Sequence, residues 1–312
     1  LKGINKTTYF RWKKSIKDGR KYTKHTNLCQ YSKEHEEKVI SWVKKNPDLN
    51  VDELIAVALD LRDAKGNSIG FYLGSRSYVY RLLHKEHLIN TRRAEGKGIR
   101  HNFNQKKLIA TAPNQVYVWD ITYLYSGIEG EYFYLYAMMD LYSRKMIHYE
   151  VHKAQKDTIA SSFLEKGLAR EHIAIKGHVC RLSEVRDDII VKEELILHSD
   201  NGAPMKGQNM LFKMNSLGIT ASYSRPHHSN DNAHMESSFA TLKHSHSMRI
   251  PKSFETVQDA QNWVNKFYDW YNNKHLHSGI KYMTPNACHN GKGNEILANR
   301  NRIISQSTIP IK

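Results

Sequence analysis

Three carboxylates in this sequence stand where regular elements would hold them rigidly. Asp120 closes the apolar stretch of QVYVWDIT, Asp200 directly follows the short apolar run in LILHSD, and Glu236 lies in NDNAHMESSFATLK, a helical pattern. One acid near a strand end means little. Three on separate elements can converge to hold two divalent cations roughly 3.5–4 Å apart, the arrangement that activates an attacking oxygen and stabilises the leaving oxygen of a phosphodiester. A donor set made only of carboxylate oxygen suits Mg²⁺ or Mn²⁺, two ions per site.

The neighbours extend this chemistry. Asn232, Glu236, Ala240 and Lys243 recur at i, i+4, i+8 and i+11, one helix face, so Asn232 and Lys243 are expected to touch DNA beside the metal site. Asn201 and Gly202 suit a tight turn presenting Asp200, with glycine supplying positive φ. Ser224, Arg225, His227, His228 and Ser229 read as a polar loop before the Glu236 helix, and Arg225 as a DNA contact within it. His198, two residues before Asp200, reads as a satisfied buried histidine. Zinc is disfavoured: Cys29, Cys180 and Cys288 form no CxxC pair, and His84 with His87 lack a second ligand pair.

The elements that must position these residues follow from periodicity. Strands are expected over 115–122, 131–137 and 145–151, the first two joined by a polar turn at 126–130 into a hairpin. A helix over 158–169, a strand over 195–198, a helix over 208–217, a strand over 219–222, and helices over 231–245 and 255–271 follow. Three strands, a helix, then alternating strand and helix is the order of a ribonuclease-H-like α/β core. The domains expected are a partial helix-turn-helix segment (1–30), a helical DNA-binding module (31–90), a basic linker (91–112), the catalytic core (113–285) and a C-terminal tail (286–312).

Charge says what the N-terminal part meets. The chain carries 47 Lys plus Arg against 31 Asp plus Glu, a formal net charge of +16. Residues 1–110 hold 24 of the basic and 11 of the acidic residues, a net of +13. So lopsided a distribution points to a DNA-binding arm on a more neutral core. Its candidate contacts are Arg11 and Lys14 in the opening segment, Arg76 and Arg81 on the last module helix, and Arg92 and Arg93 in the linker. In that last helix Val79, Leu82 and Leu83 form an apolar stripe, with Arg76, Tyr80 and Arg81 outward. The longest apolar and aromatic run, 132–139, is too short to span a bilayer. The expected setting is a reducing bacterial cytoplasm, at the nucleoid. The first residue is Leu1, which suggests a chain that begins inside a longer reading frame or uses an unusual start.

The words around the carboxylates resemble the DDE transposases of the insertion-sequence-three group, within the retroviral integrase superfamily. Between Asp200 and Glu236 lie 35 residues, the spacing that marks that superfamily. PNQVYVWDITYL, YAMMDLYSRKMIHYEV, LHSDNGAPMKG, SYSRPHHSNDNAHMESSFATLK and WYNNKHLHSGIKYMTP occur in the family's order. The resemblance covers about residues 113–290 closely and the helical part loosely. It implies Asp120, Asp200 and Glu236 as catalytic metal ligands, and metal-dependent cleavage and strand transfer at the ends of an insertion sequence without a covalent enzyme intermediate. It further implies recognition of terminal inverted repeats and of target DNA, a homo-oligomer on paired ends, and an upstream-frame protein or fused N-terminal segment as a further partner. In that pattern Asp140 is structural, ending a strand with Arg144 nearby. Two features depart from it. The gap from Asp120 to Asp200 holds 79 residues, longer than usual, with the excess expected as a surface hairpin or loop in 176–194. Lys274 and His275 stand where an arginine is common, which leaves DNA roles for His275 and His277 open. The alternatives are an inactive or domesticated DNA-binding regulator, and a nuclease of the same fold that does not join ends.

Overall fold

The computed structural model describes residues 31–88, 108–175, 190–192, 194–225 and 232–307, together with Lys13. Arg11, Lys14, Arg92, Arg93, His227, His228 and Ser229 lie outside the described residues.

The central sheet follows from alternation in the sequence. Strand β1 (Val116–Tyr125) pairs antiparallel with β2 (Tyr132–Asp140), and β2 with β3 (Met146–His152). After helix α4 (Asp157–Arg170), strand β6 (Leu195–Ser199) returns beside β1 in parallel, and β7 (Ile219–Tyr223) lies parallel to β6. The sheet order is β3-β2-β1-β6-β7, the mixed five-stranded, ribonuclease-H-like arrangement expected. Between α4 and β6, strands β4 (Ile173–Ile175) and β5 (Ile190–Lys192) form a separate parallel pair. The hairpin or loop expected in 176–194 lies for the most part outside the described residues.

Both sheet faces are covered. Tyr117 and Trp119 of β1 pack with Phe163 and Leu164 of α4 and with Met210 and Met214 of α6 (Gln208–Ser216). On the opposite face Val118 and Leu124 pack with Met235, Phe239 and Leu242 of α7 (Ala233–His244) and with Val264, Phe267 and Tyr268 of α8 (Val257–Asn273). The period-2 alternation of β1 therefore assigns even-numbered residues to the α7 side. The edge strand β3 is closed by α8: Gln261 accepts from the Val151 N–H at 2.7 Å, and Asn272 both accepts from and donates to the Met146 backbone. Those side chains occupy backbone groups that would otherwise template foreign strands.

The N-terminal module comprises α1 (Lys33–Lys45), α2 (Val51–Asp60) and α3 (Arg76–Lys85), each opened by a capping side chain, Ser32, Asn50 and Ser75. Val39, Val43, Leu54, Val79, Leu82 and Leu83 form its core, and Arg76, Tyr80 and Arg81 face outward as expected.

The segment read as a tail is structured. It carries α9 (Pro285–His289) and α10 (Gly293–Gln306). Arg300 of α10, only 7% exposed, forms a two-pronged ion pair with Asp60 of α2 and donates to the carbonyls of Lys281 and Tyr282. The ion pair of Arg62 with Glu295, at 3.4 Å, adds a second link between module and helix. The C-terminal helix thus joins the helical module to the catalytic core.

Candidate active site

Asp120 sits on β1 with its side chain on the even face, towards α7. The β1–β6 register pairs Val116 with Ile196 and Val118 with His198, so two residues further on it brings Asp120 level with Asp200. Asp200 itself has just left β6, and its Oδ1 accepts from the Gly202 N–H at 2.9 Å. The helix of four residues that follows, α5 (Ala203–Lys206), starts there. Glu236 stands exposed in the first turn of α7. Asp120 feels the other two acids: burial first, then the charges of Asp200 and Glu236, push its carboxyl up to about 7 against the lowering effect of the Ile121 N–H. Burial also raises Glu236.

Two neighbours play roles other than those expected. Gly202 has φ −59°, an ordinary value; close approach and not positive φ is what favours glycine there. A Cβ at that position would lie 3.0 Å from Met205 Sδ and 3.1 Å from Asp200 Oδ1. Asn232 is turned inward, 4% exposed, and its Nδ2 donates to the Trp119 carbonyl at 3.3 Å. It is the N-cap residue of α7 with non-helical backbone, so it leaves the helix face shared by Glu236, Ala240 and Lys243. Its expected DNA contact is replaced by a tether fixing α7 on β1. Lys243, Arg225, Arg76 and Arg81 are exposed, and Arg76 pairs with Asp52 at 2.8 Å.

Other expectations hold. His198 is buried, with Nδ1 2.9 Å from Ser222 Oγ. Asp140 ends β2 fully buried and accepts from the Asn114 N–H, the Ser143 N–H and the Ser143 hydroxyl at 2.7–2.8 Å, a structural acid. Sequence reasoning missed the network around it. His289 of α9 lies 2.9 Å from Ser143 Oγ and 3.2 Å from Glu171, which also binds Lys145 at 2.7 Å. Burial works against protonation of His289, but the Asp140 carboxylate, 3.8 Å away, and the Glu171 carboxylate at 3.2 Å prevail and raise its pKa. No local motif announces this contact, because His289 is 146 residues from Ser143.

The donor set fits hard divalent cations. It is all oxygen, it comes from two adjacent parallel strands and a tethered helix, and one carboxyl is held above its ordinary range by burial and by the other two acids. Among the described residues no three His, Cys, Asp or Glu side chains are drawn into a closed coordinating cluster. Asp120 and Asp200 each accept from a nearby backbone N–H, of Ile121 and Gly202.

Comparison with known proteins places this geometry. The integrase core domain family matches residues 110–229, and a second integrase core domain family matches 217–285. The chain is 29% identical over 177 residues to the transposase for insertion sequence element IS904 of Lactococcus lactis, covering 56% of this chain and 61% of that protein. It is 24% identical over 184 residues to the putative transposase InsK for insertion sequence element IS150 of Escherichia coli, covering 59% and 57%. The match thus spans about three fifths of the length of these relatives. A likeness to the HTLV-2 integrase catalytic core domain in complex with magnesium, at 14% identity, 58% and 99% coverage and a TM-score of 0.39, is too distant to bear on the assignment. The two integrase-core matches run together over residues 110–285 and take in all three carboxylates, and this part of the chain is an integrase core domain.

Proposed function

We propose that this protein is the transposase of an insertion sequence, cutting DNA at the ends of its element and joining those ends to target DNA. The observation that supports the reading is that Asp120 on β1 stands level with Asp200 at the end of β6, with Asp200 and Glu236 near enough for their charges to act on the Asp120 carboxyl. Asp120, Asp200 and Glu236 would hold two Mg²⁺ or Mn²⁺ ions, which supply activation of an attacking oxygen and stabilisation of the leaving oxygen during in-line displacement. The chain's own residues do the positioning. Gly202 admits and orients Asp200, Asn232 fixes α7 against β1, and the β1–β6 register sets the level of the two aspartates. Attack by water and then by a DNA 3′-hydroxyl needs no enzyme nucleophile.

The helical module and the basic N-terminal third would bind DNA, with Arg76, Arg81, Arg92, Arg93, Arg11 and Lys14 as phosphate or base contacts and Lys243 and Arg225 beside the site. Element terminal repeats and target DNA are the partners, with a homo-oligomer on paired ends and an upstream-frame or fused segment completing the assembly. No helix among the described residues is long and apolar enough to cross a membrane, and the bacterial cytoplasm at the nucleoid is the proposed place of action. The domain division is proposed as residues 1–30, 31–90, 91–112, 113–285 and a C-terminal segment, 286–312, whose helix α10 carries the Arg300 contacts.

Labelled DNA carrying the terminal repeats of the element that encodes this chain, incubated with protein and Mg²⁺, tests this. End cleavage and strand transfer are scored separately. Both are expected, and both are lost in Asp120→Asn. Full activity of Asp120→Asn refutes the mechanism. Cleavage without joining favours the nuclease reading, and binding without either favours the regulator.

A further inference from the structure

An open-sided cleft of about 880 Å³ lies where the helical module meets α7 and α8. Its floor is one face of α7: Ser237, Ala240, Thr241 and His244, at i, i+3, i+4 and i+7. The floor begins one residue after Glu236. Its first three side chains are small, so a polymer backbone can come close. Around the rim stand Lys274, His275 and His246, with the partly exposed ring of Trp270. The module supplies the facing wall through Leu49, Val57 and Glu53. Glu53 is the one carboxylate of the lining, and it is engaged: it accepts from the Asn50 N–H at 2.8 Å, within the capping box of α2. The other polar groups of the lining are Lys274, three histidines and the hydroxyls of Ser237, Thr241, Ser245 and Ser247, a hydrogen-bonding surface with one fixed positive charge.

The size discriminates between ligands. Cavities of roughly 300–1,000 Å³ enclose a drug-sized molecule, room for a few nucleotides of one strand. A B-form duplex, whose major groove alone is about 12 Å wide, does not enter. An aromatic ring with a lysine and hydrogen-bond donors along a groove is a pairing that takes single strands, bases on the ring and phosphates on the lysine and the donors. The module that forms one wall is tied through Arg300 of α10 to Asp60 and to the carbonyls of Lys281 and Tyr282, a few residues beyond the Lys274–Leu276 rim.

We propose that this cleft seats a single-stranded DNA segment continuous with the phosphodiester presented to the carboxylates, with Trp270 stacking a base and Lys274, His244 and His246 meeting phosphates. The inference rests on the transposase reading and adds that the substrate is locally unpaired next to the cutting site.

The test uses the full chain without metal, binding labelled oligo(dT) and, separately, a duplex of mixed sequence. Two variants are compared with the parent, Trp270→Ala and Ala240→Trp; the second fills the exposed floor and leaves the core untouched. Oligo(dT) affinity is expected to fall about tenfold in each, the loss of roughly one stacked base, while duplex affinity stays within about twofold. Unchanged oligo(dT) binding in Ala240→Trp overturns the proposal, as does an equal loss for duplex. A change in sedimentation of Ala240→Trp with oligo(dT) binding intact would assign the cleft to a protein segment and overturn it as well. A parent chain that binds duplex but not oligo(dT) defeats this inference alone, whereas one that binds neither defeats the transposase reading itself.

Discussion

Removing the charge of Asp120 should abolish catalysis and yet stabilise the metal-free protein. Burial, with the charges of Asp200 and Glu236 behind it, raises this carboxyl from 3.8 to about 7. A raised acid means that the folded state holds a proton which the unfolded state has released. Stability of the metal-free protein therefore falls as pH climbs from about 4 to about 7, and the penalty is complete above that. At about 1.4 kcal/mol per pH unit the upper bound is ~4 kcal/mol. Solvent access and relaxation at a site open to one side reduce this to about 1–3 kcal/mol. Asparagine is near-isosteric with the protonated acid and can still accept from the Ile121 N–H, so Asp120→Asn removes the charge alone. Urea denaturation with a chelator present should show the variant more stable by about 1–3 kcal/mol at pH 8, and equal to the parent within about 0.5 kcal/mol at pH 4, where both are neutral. Added Mg²⁺ should reverse the order at pH 8 by stabilising only the parent. A variant of equal or lower stability at pH 8 without metal, or a difference that persists at pH 4, would show that the three carboxylates do not strain one another.

The remaining predictions concern the supports of the site. Gly202→Ala should push Met205 or the Asp200 carboxylate aside, since its Cβ would meet them at 3.0 and 3.1 Å; cleavage should fall at least about tenfold, a loss of roughly 1.4 kcal/mol of transition-state stabilisation, with little change in the urea midpoint. Glu150, held well below the usual range because hydrogen bonds from His148, His152 and Lys166 outweigh its burial, contributes stability that is present above about 4.5 and lost as pH falls. Glu150→Gln should cost about 1–3 kcal/mol at neutral pH, a deficit that shrinks in acid when both proteins are unfolded by urea across a pH series. Arg300→Ala leaves Asp60 and two carbonyls without their donor. A loss of about 2–4 kcal/mol and faster amide exchange in α2 and α10 are expected by hydrogen-exchange mass spectrometry, and unchanged exchange in α2 would refute the coupling of module to core.

Much of the core is legible in the chain because its physics is local. Alternation in 116–125 and 132–140 marks two half-buried strands, and the polar residues between them mark the turn. The pairing of Asp200 with Glu236 is visible as spacing within a recurrent set of words. What escaped depends on contacts far apart in sequence or on backbone detail. Extending the helical face of Glu236 back to Asn232 assumes that the helix already exists there, but Asn232 is the cap residue with φ −110° and ψ 30°, which swings its side chain inward. Gly202 invites a positive-φ explanation, while the constraint is a neighbouring side chain that no sequence displays. Helix α10 looks like a tail because its apolar residues are few; its buried anchor is Arg300, whose partner Asp60 lies 240 residues away.

This division has a physical reason that bears on function. Three acids gathered without a cation oppose folding, so the scaffold around them must be stabilised by groups that do not share their chemistry. Those groups are found at a distance: the sandwich of Trp119 and Phe163 on one face and Phe239 and Phe267 on the other, the Asp140–Ser143–His289 network behind β2, and the Arg300 joint. The His289 network contributes most below the histidine's raised pKa and weakens as pH rises through it, because a raised base stabilises the fold only while protonated. The Asp120 carboxyl acts in the same direction, its penalty growing over the same rise in pH. Both effects make the metal-free protein least stable in alkali, and only the Asp120 contribution is relieved by a divalent cation. Stabilisation by Mg²⁺ should therefore grow from pH 6 to pH 8 in the parent and vanish in Asp120→Asn, while His289→Gln should leave that growth intact; thermal unfolding of the three proteins with and without Mg²⁺ separates the two contributions.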